Sequence, residues 1–126
     1  DQDMYSAWIK KVIVSEGRKV GEISYIFCDD DYLLSLNKEY LNHDTLTDII
    51  SFDYSVGKIA QGDIFISTDR VKENSVLFDV IFHDELRRVI VHGILHLCGY
   101  KDNTPEESEL MRSKEDEKMK LFHVEQ

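Results

Sequence analysis

A chain of 126 residues is expected to form one domain over 1–126, large enough to bury a core without disulfides or structural metals. With 42% hydrophobic and 32% charged residues it has the composition of a soluble globular protein. No apolar run approaches the roughly eighteen residues a membrane span needs, and no signal-peptide pattern is visible, so the expected setting is cytoplasmic, away from any membrane. The net charge of −10 excludes broad electrostatic attraction to nucleic acid and leaves any RNA binding to a local patch.

Helical spacing over 4–16 brings Tyr5, Trp8, Ile9, Val12 and Ile13 onto one face, and Gly17 closes the segment. Residues 21–28 have the β-branched and aromatic content of a strand. Asp29 to Asp31 then offer caps for a helix carrying Leu33, Leu34, Leu36, Tyr40 and Leu41. Loop chemistry at Asn42 to Thr45 precedes a second strand over 47–53. Gly57 and Gly62 bracket a turn into a third strand over 62–67, and the second and third strands are expected to pair as a hairpin-like unit. A short helix follows over 68–75.

Residues 82–98 are apolar on nearly every side and are expected to form a buried central helix. Thr104, Pro105 and Glu107 combine a cap, a first-position proline and a capping-box glutamate, starting a last helix to about Leu121. The six acidic residues between Glu106 and Glu117 are assigned to its solvated face. Cys28 and Cys98 each sit in an apolar run and read as buried free thiols, with no disulfide framework.

The chemistry concentrates in the central helix and just beyond it. His92 and His96 are four residues apart, so one helical face carries both imidazoles. Gly99 supplies a residue able to end the helix with φ > 0, and Asp102 stands where the returning chain adds a third ligand. Two imidazoles and a carboxylate leave a fourth tetrahedral position open, as in catalytic zinc sites. The same set suits non-haem iron, although nothing else suggests an oxygenase. His83 lies about 13 Å back along the helix. His43 and His123 remain open as ligands, with nothing directing them inward. In a zincin the residue after the first histidine is the glutamate base; here it is Gly93. Asp48 and Asp63 place carboxylates in or beside strands, where capping is the first reading and a polar contact to substrate the second.

The run His92-Gly93-Ile94-Leu95-His96-Leu97-Cys98-Gly99-Tyr100-Lys101-Asp102 resembles the signature H-G-x-L-H-L-x-G-Y-D-H of the YbeY family of bacterial endoribonucleases. Leu36-Asn37-Lys38-Glu39-Tyr40, Thr47-Asp48-Ile49-Ile50-Ser51-Phe52 and Gly62-Asp63-Ile64 are similar to further family segments, in the same order. The resemblance implies an α+β fold, with helices packed on a small mixed sheet around a zincin-like central metal-binding helix. It implies one zinc ion held by His92, His96 and Asp102, with the two histidines catalytic. It also implies cleavage of single-stranded RNA, in rRNA maturation and ribosome quality control, with ribosomal particles as partners. Two positions depart from the pattern: Asp102 stands where the family has a third histidine, and Leu41 where it has an arginine suited to a phosphate. Lys101, Arg87 and Arg88 are the candidates to replace that cation. The alternatives are an RNA- or ribosome-binding factor with a structural metal, and a zincin-like metallopeptidase that Gly93 disfavours.

Overall fold

The computed structural model describes residues 2–123. Along them run α1 (Gln2–Ser15), β1 (Lys19–Cys28), α2 (Asp30–Tyr40), β2 (Ile49–Asp53), β3 (Ile59–Ser67), α3 (Thr68–Leu77), α4 (Phe82–Leu97) and α5 (Pro105–Met119), then a 3₁₀ turn at Lys120–His123. The fold is α+β with a three-stranded mixed sheet in the order β1-β3-β2, as expected. β3 is central, parallel to β1 and antiparallel to β2. The expected pairing of the second and third strands holds, with Ile49 opposite Ile66 and Asp53 opposite Gly62.

Side chains alternate across β3, and this alternation builds two cores. Ala60, Ile64 and Ile66 face Trp8, Val12 and Ile13 of α1 and Ile90, Ile94 and Leu97 of α4. On the opposite face Phe65 joins Leu33 and Leu36 of α2 with Ile50 and Phe52 of β2. α2 is capped by Asp29, whose carboxylate accepts from the Tyr32 amide at 2.8 Å. α5 starts with the full capping box, in which Thr104 and Glu107 bond each other's amides.

One boundary differs from expectation for a packing reason. β3 starts at Ile59, so Gly62 lies inside the strand and not at the end of a turn. A Cβ at Gly62 would stand 2.2 Å from the Phe52 carbonyl oxygen and 3.0 Å from Leu97 Cδ2. Gly62 therefore lets β2 and α4 close on β3. The free thiols also divide: Cys98 is buried, whereas Cys28 is half-buried, its thiol 3.5 Å from the Ile66 carbonyl.

α4 touches the sheet through Gly93, where a Cβ would meet Ile49 Cδ1 at 2.7 Å, Ser51 Oγ at 3.2 Å and Ile64 Cδ1 at 3.3 Å. The C-terminal end of α5 is tied to α1 and the residue after it by polar contacts. The Trp8 indole donates to the Lys118 carbonyl at 2.8 Å, and the buried Lys118 ammonium lies 2.8 Å from Glu16. No helix among the described residues is long and apolar enough to cross a membrane.

Gly62→Ala sets a methyl group against backbone, which no side-chain rotation relieves. The expected loss is about 3 kcal/mol or slightly less, read as a lower urea midpoint at unchanged m-value. An unchanged midpoint would mean that β2 does not pack on β3 as closely as described.

Candidate metal centre

Four residues make just over one helical turn, so α4 stacks His92 above His96. Their Nε2 atoms lie 3.1 Å apart. The helix then ends in a reversal: Gly99 has φ 102°, and the Tyr100 amide bonds the Leu95 carbonyl at 3.0 Å. A β-carbon is disfavoured at that φ, which is why glycine occupies the position. The reversed chain returns Asp102, whose Oδ2 lies 3.2 Å from His92 Nε2 and 3.6 Å from His96 Nε2. These three donor atoms lie within 4.8 Å of one another, and among the described residues no other histidine, cysteine or acidic group of three does so.

The remaining ring nitrogens fix the tautomers. His92 Nδ1 is 2.6 Å from Glu115 Oε2, and His96 Nδ1 is 2.9 Å from the Tyr100 carbonyl. Both partners accept, so each neutral ring keeps its proton on Nδ1 and turns the Nε2 lone pair toward Asp102. Lone pairs so close repel one another unless a cation sits among them. Two imidazoles and one carboxylate are a donor set suited to a divalent metal. Burial works against charge on His92, yet the Glu115, Asp102 and Asp48 carboxylates raise its proton affinity overall. The same negative field favours a bound cation.

Glu115 is itself held in place. Arg88 donates to Glu115 Oε1 at 2.9 Å and to Asp116 at 2.7 Å. Burial opposes its ionisation, but His92 and Arg88 keep the Glu115 carboxyl below the usual range. The return loop has its own anchor: the Tyr100 hydroxyl donates to Glu16 at 2.7 Å, and Glu16 pairs with Lys118. Beside the donors opens a cleft of about 290 Å³, lined by His92 and Asp102 together with Asp48, Phe78, Glu85, Arg88, Arg112 and Glu115.

The structure thus brings together His92, His96 and Asp102, and leaves the other histidines apart. His83 and His43 are exposed, and the side chain of His123 lies outside those described. Among the cation candidates, Arg88 lines the cleft. Arg87 pairs with Asp84 and lies 4.5 Å over the Phe122 ring. Lys101 is exposed and does not line the cleft, and Leu41 is exposed at the C-terminal cap of α2.

The assignment of every acidic residue of the last helix to solvent is corrected at Glu115, which is 5% exposed. Met111, Glu115 and Lys118 form the buried stripe of α5 at helical spacing, a signal hidden by the polarity of two of its members. Arg112 and Glu85 also went unrecognised. Asp48, given capping as its first reading, lines the cleft instead, its carboxyl raised by burial, with the His92 charge only partly offsetting this.

Glu115→Ala leaves Arg88 half-buried with only Asp116 and removes the acceptor of His92. Breaking one partner from such a pair costs about 3 kcal/mol, measured by urea unfolding with chelator present so that no metal contributes. A loss within error would show that solvent replaces Glu115 freely.

A family profile described as endoribonuclease YbeY matches residues 1–123. The chain is 60% identical over 126 residues to the Flavobacterium johnsoniae protein named endoribonuclease YbeY, covering 100% of this chain and 91% of that one. It is 50% identical over 119 residues to the Phocaeicola vulgatus protein of the same name, covering 94% and 86%. The solution structure of TM1509 from Thermotoga maritima matches with a TM-score of 0.69 at 26% identity, over 96% of this chain and 80% of that one. With its profile matched across nearly the whole length and its relatives this similar, the chain belongs to the endoribonuclease YbeY family.

Proposed function

We propose that the chain is a zinc-dependent endoribonuclease for single-stranded RNA, with one zinc ion held by His92, His96 and Asp102 and residues 1–126 working as a single catalytic domain. The observation that carries this is the convergence of three donor atoms within 4.8 Å in a member of the endoribonuclease YbeY family. Its place is rRNA maturation and ribosome quality control in the cytoplasm, with ribosomal particles as partners. When bound, the zinc supplies Lewis acidity toward a phosphate oxygen and toward water.

The chain's own residues do the rest. Glu115 and the Tyr100 carbonyl keep protons on the Nδ1 atoms and so hold both Nε2 atoms available. Arg112 lines the cleft and makes no ion pair among the described residues, so it is the cation for the phosphate. Arg88 adds positive charge there but is shared between Glu115 and Asp116. A local pair of arginines thereby meets a polyanion that the net charge of −10 would otherwise repel. The peptidase alternative meets a steric obstacle, because a side chain at Gly93 would enter space held by Ile49, Ser51 and Ile64.

The expected zinc content is one per chain by elemental analysis, and it is lost in a His92→Ala, His96→Ala double variant. Asp102→His is expected to retain the metal, because imidazole replaces carboxylate as donor. Glu115→Gln is expected to weaken metal binding by about 10–100-fold. Cleavage of single-stranded RNA should stop with chelator and return with zinc. Cleavage indifferent to chelator would overturn the metal reading. Full metal with no cleavage would favour the RNA-binding factor.

A further inference from the structure

Glu85 is 6% exposed, yet its carboxylate has no hydrogen-bond or ion-pair partner among the described residues, its amide alone bonding the Ile81 carbonyl at 3.2 Å. A carboxylate so enclosed gains from any donor that enters the cleft it lines. Burial first, then the Asp48 charge, raise it above the usual carboxylate range, while Arg88 and Arg112 only partly offset this. Glu85 lines the same cleft as His92 and Asp102, so whatever occupies that cleft meets its oxygens.

Two ligand chemistries would satisfy the group: a second cation, or a molecule presenting N–H donors. Asp48 and Glu115 favour a cation, but Arg88, Arg112 and a metal ion held by His92, His96 and Asp102 would together oppose a second one. RNA bases present N–H donors, and single-stranded RNA is recognised mainly through unstacked bases on their Watson–Crick edges. Guanine alone has two adjacent donors on that edge, N1–H and the N2 amino group, matching the two oxygens of one carboxylate. Adenine and cytosine set an acceptor beside their amino group, and uracil has one N–H between two acceptors. Phe78, 57% exposed, lines the cleft and offers a ring on which a base can stack.

We propose that this cleft is a base-reading subsite, in which the Glu85 carboxylate accepts from N1–H and N2–H of a guanine in the single-stranded RNA held at the metal centre. The inference rests on the endoribonuclease reading for its substrate class. Phe78 stacks on the base without selecting it, and Glu85 selects it. Arg112 neutralises an adjacent phosphate.

The test is calorimetric binding of GMP, IMP, AMP, CMP and UMP to the full chain with its metal and after chelation, together with mapping of cuts in single-stranded RNAs carrying one guanine. GMP is expected to bind about ten- to hundred-fold more tightly than AMP, CMP or UMP, the discrimination of one bidentate pair. IMP lacks the N2 amino group and should lose most of that advantage. Cuts should fall at a fixed distance from the guanine. Glu85→Gln should abolish the preference, and Phe78→Ala should weaken all five nucleotides alike. Should Glu85→Gln not fold, the GMP-against-IMP difference in the unmodified chain decides alone. Equal binding of all five, or a GMP preference that survives in folded Glu85→Gln, would overturn the proposal. Metal-dependent cuts without regard to base would remove the subsite and leave the endoribonuclease standing. A Glu85-dependent GMP preference without any RNA cleavage would keep the subsite and remove the endoribonuclease.

Discussion

α4 must lie hard against the sheet on one side while keeping two imidazoles clear on another. Gly93 makes this possible, because Ile49, Ser51 and Ile64 occupy the space its side chain would need. The opposite flank is fixed by charge, with Arg88 on α4 gripping Glu115 and Asp116 on α5. Held between apolar contact and ion pairs, the helix cannot rotate without breaking one or the other. The directions of His92 and His96 are therefore set by the packing of the whole domain, and a donor set positioned this way needs little rearrangement to accept a ligand.

Much of the site was legible because its logic is local. A four-residue histidine spacing, a glycine that ends the helix and a carboxylate shortly after are all short-range signals, and the structure brings those residues together. The helices followed from apolar spacing and caps, and the pairing of β2 with β3 from a short connection. Less legible were features that depend on distant partners. Glu115 looks like a surface residue until Arg88, 27 positions away, is seen beside it. Lys118 is buried only because Glu16 and Ser15 come from the other end of the chain. Gly62 resembles turn punctuation until the Phe52 carbonyl is placed against it. Hydropathy treats a paired charge and a solvated one alike, and so it misplaces buried ion pairs systematically.

Charge is also distributed by layer. Carboxylates from Asp48, Asp102 and Glu115 surround His92, and this favours positive charge at the donor atoms. A polyanionic substrate meets the same field with the opposite sign. Arg88 and Arg112 on the cleft wall separate the two requirements in space. The excess of acidic residues need not oppose RNA at the point of contact, while it does limit adhesion elsewhere on the surface.

The three converging donors and Glu115 all come from residues 92–115, one helix, a reversal and the next helix. Closing so short a loop costs little entropy. Asp48, on the far wall of the cleft, must instead be delivered by a strand from the first half of the chain. The site thus draws on two parts of the chain: a helical pair that carries the donors, aimed by the sheet it packs against, and a wall that the sheet side supplies. An ion bound only by the assembled site would add its binding free energy to the stability of both parts, joining folding to metal supply.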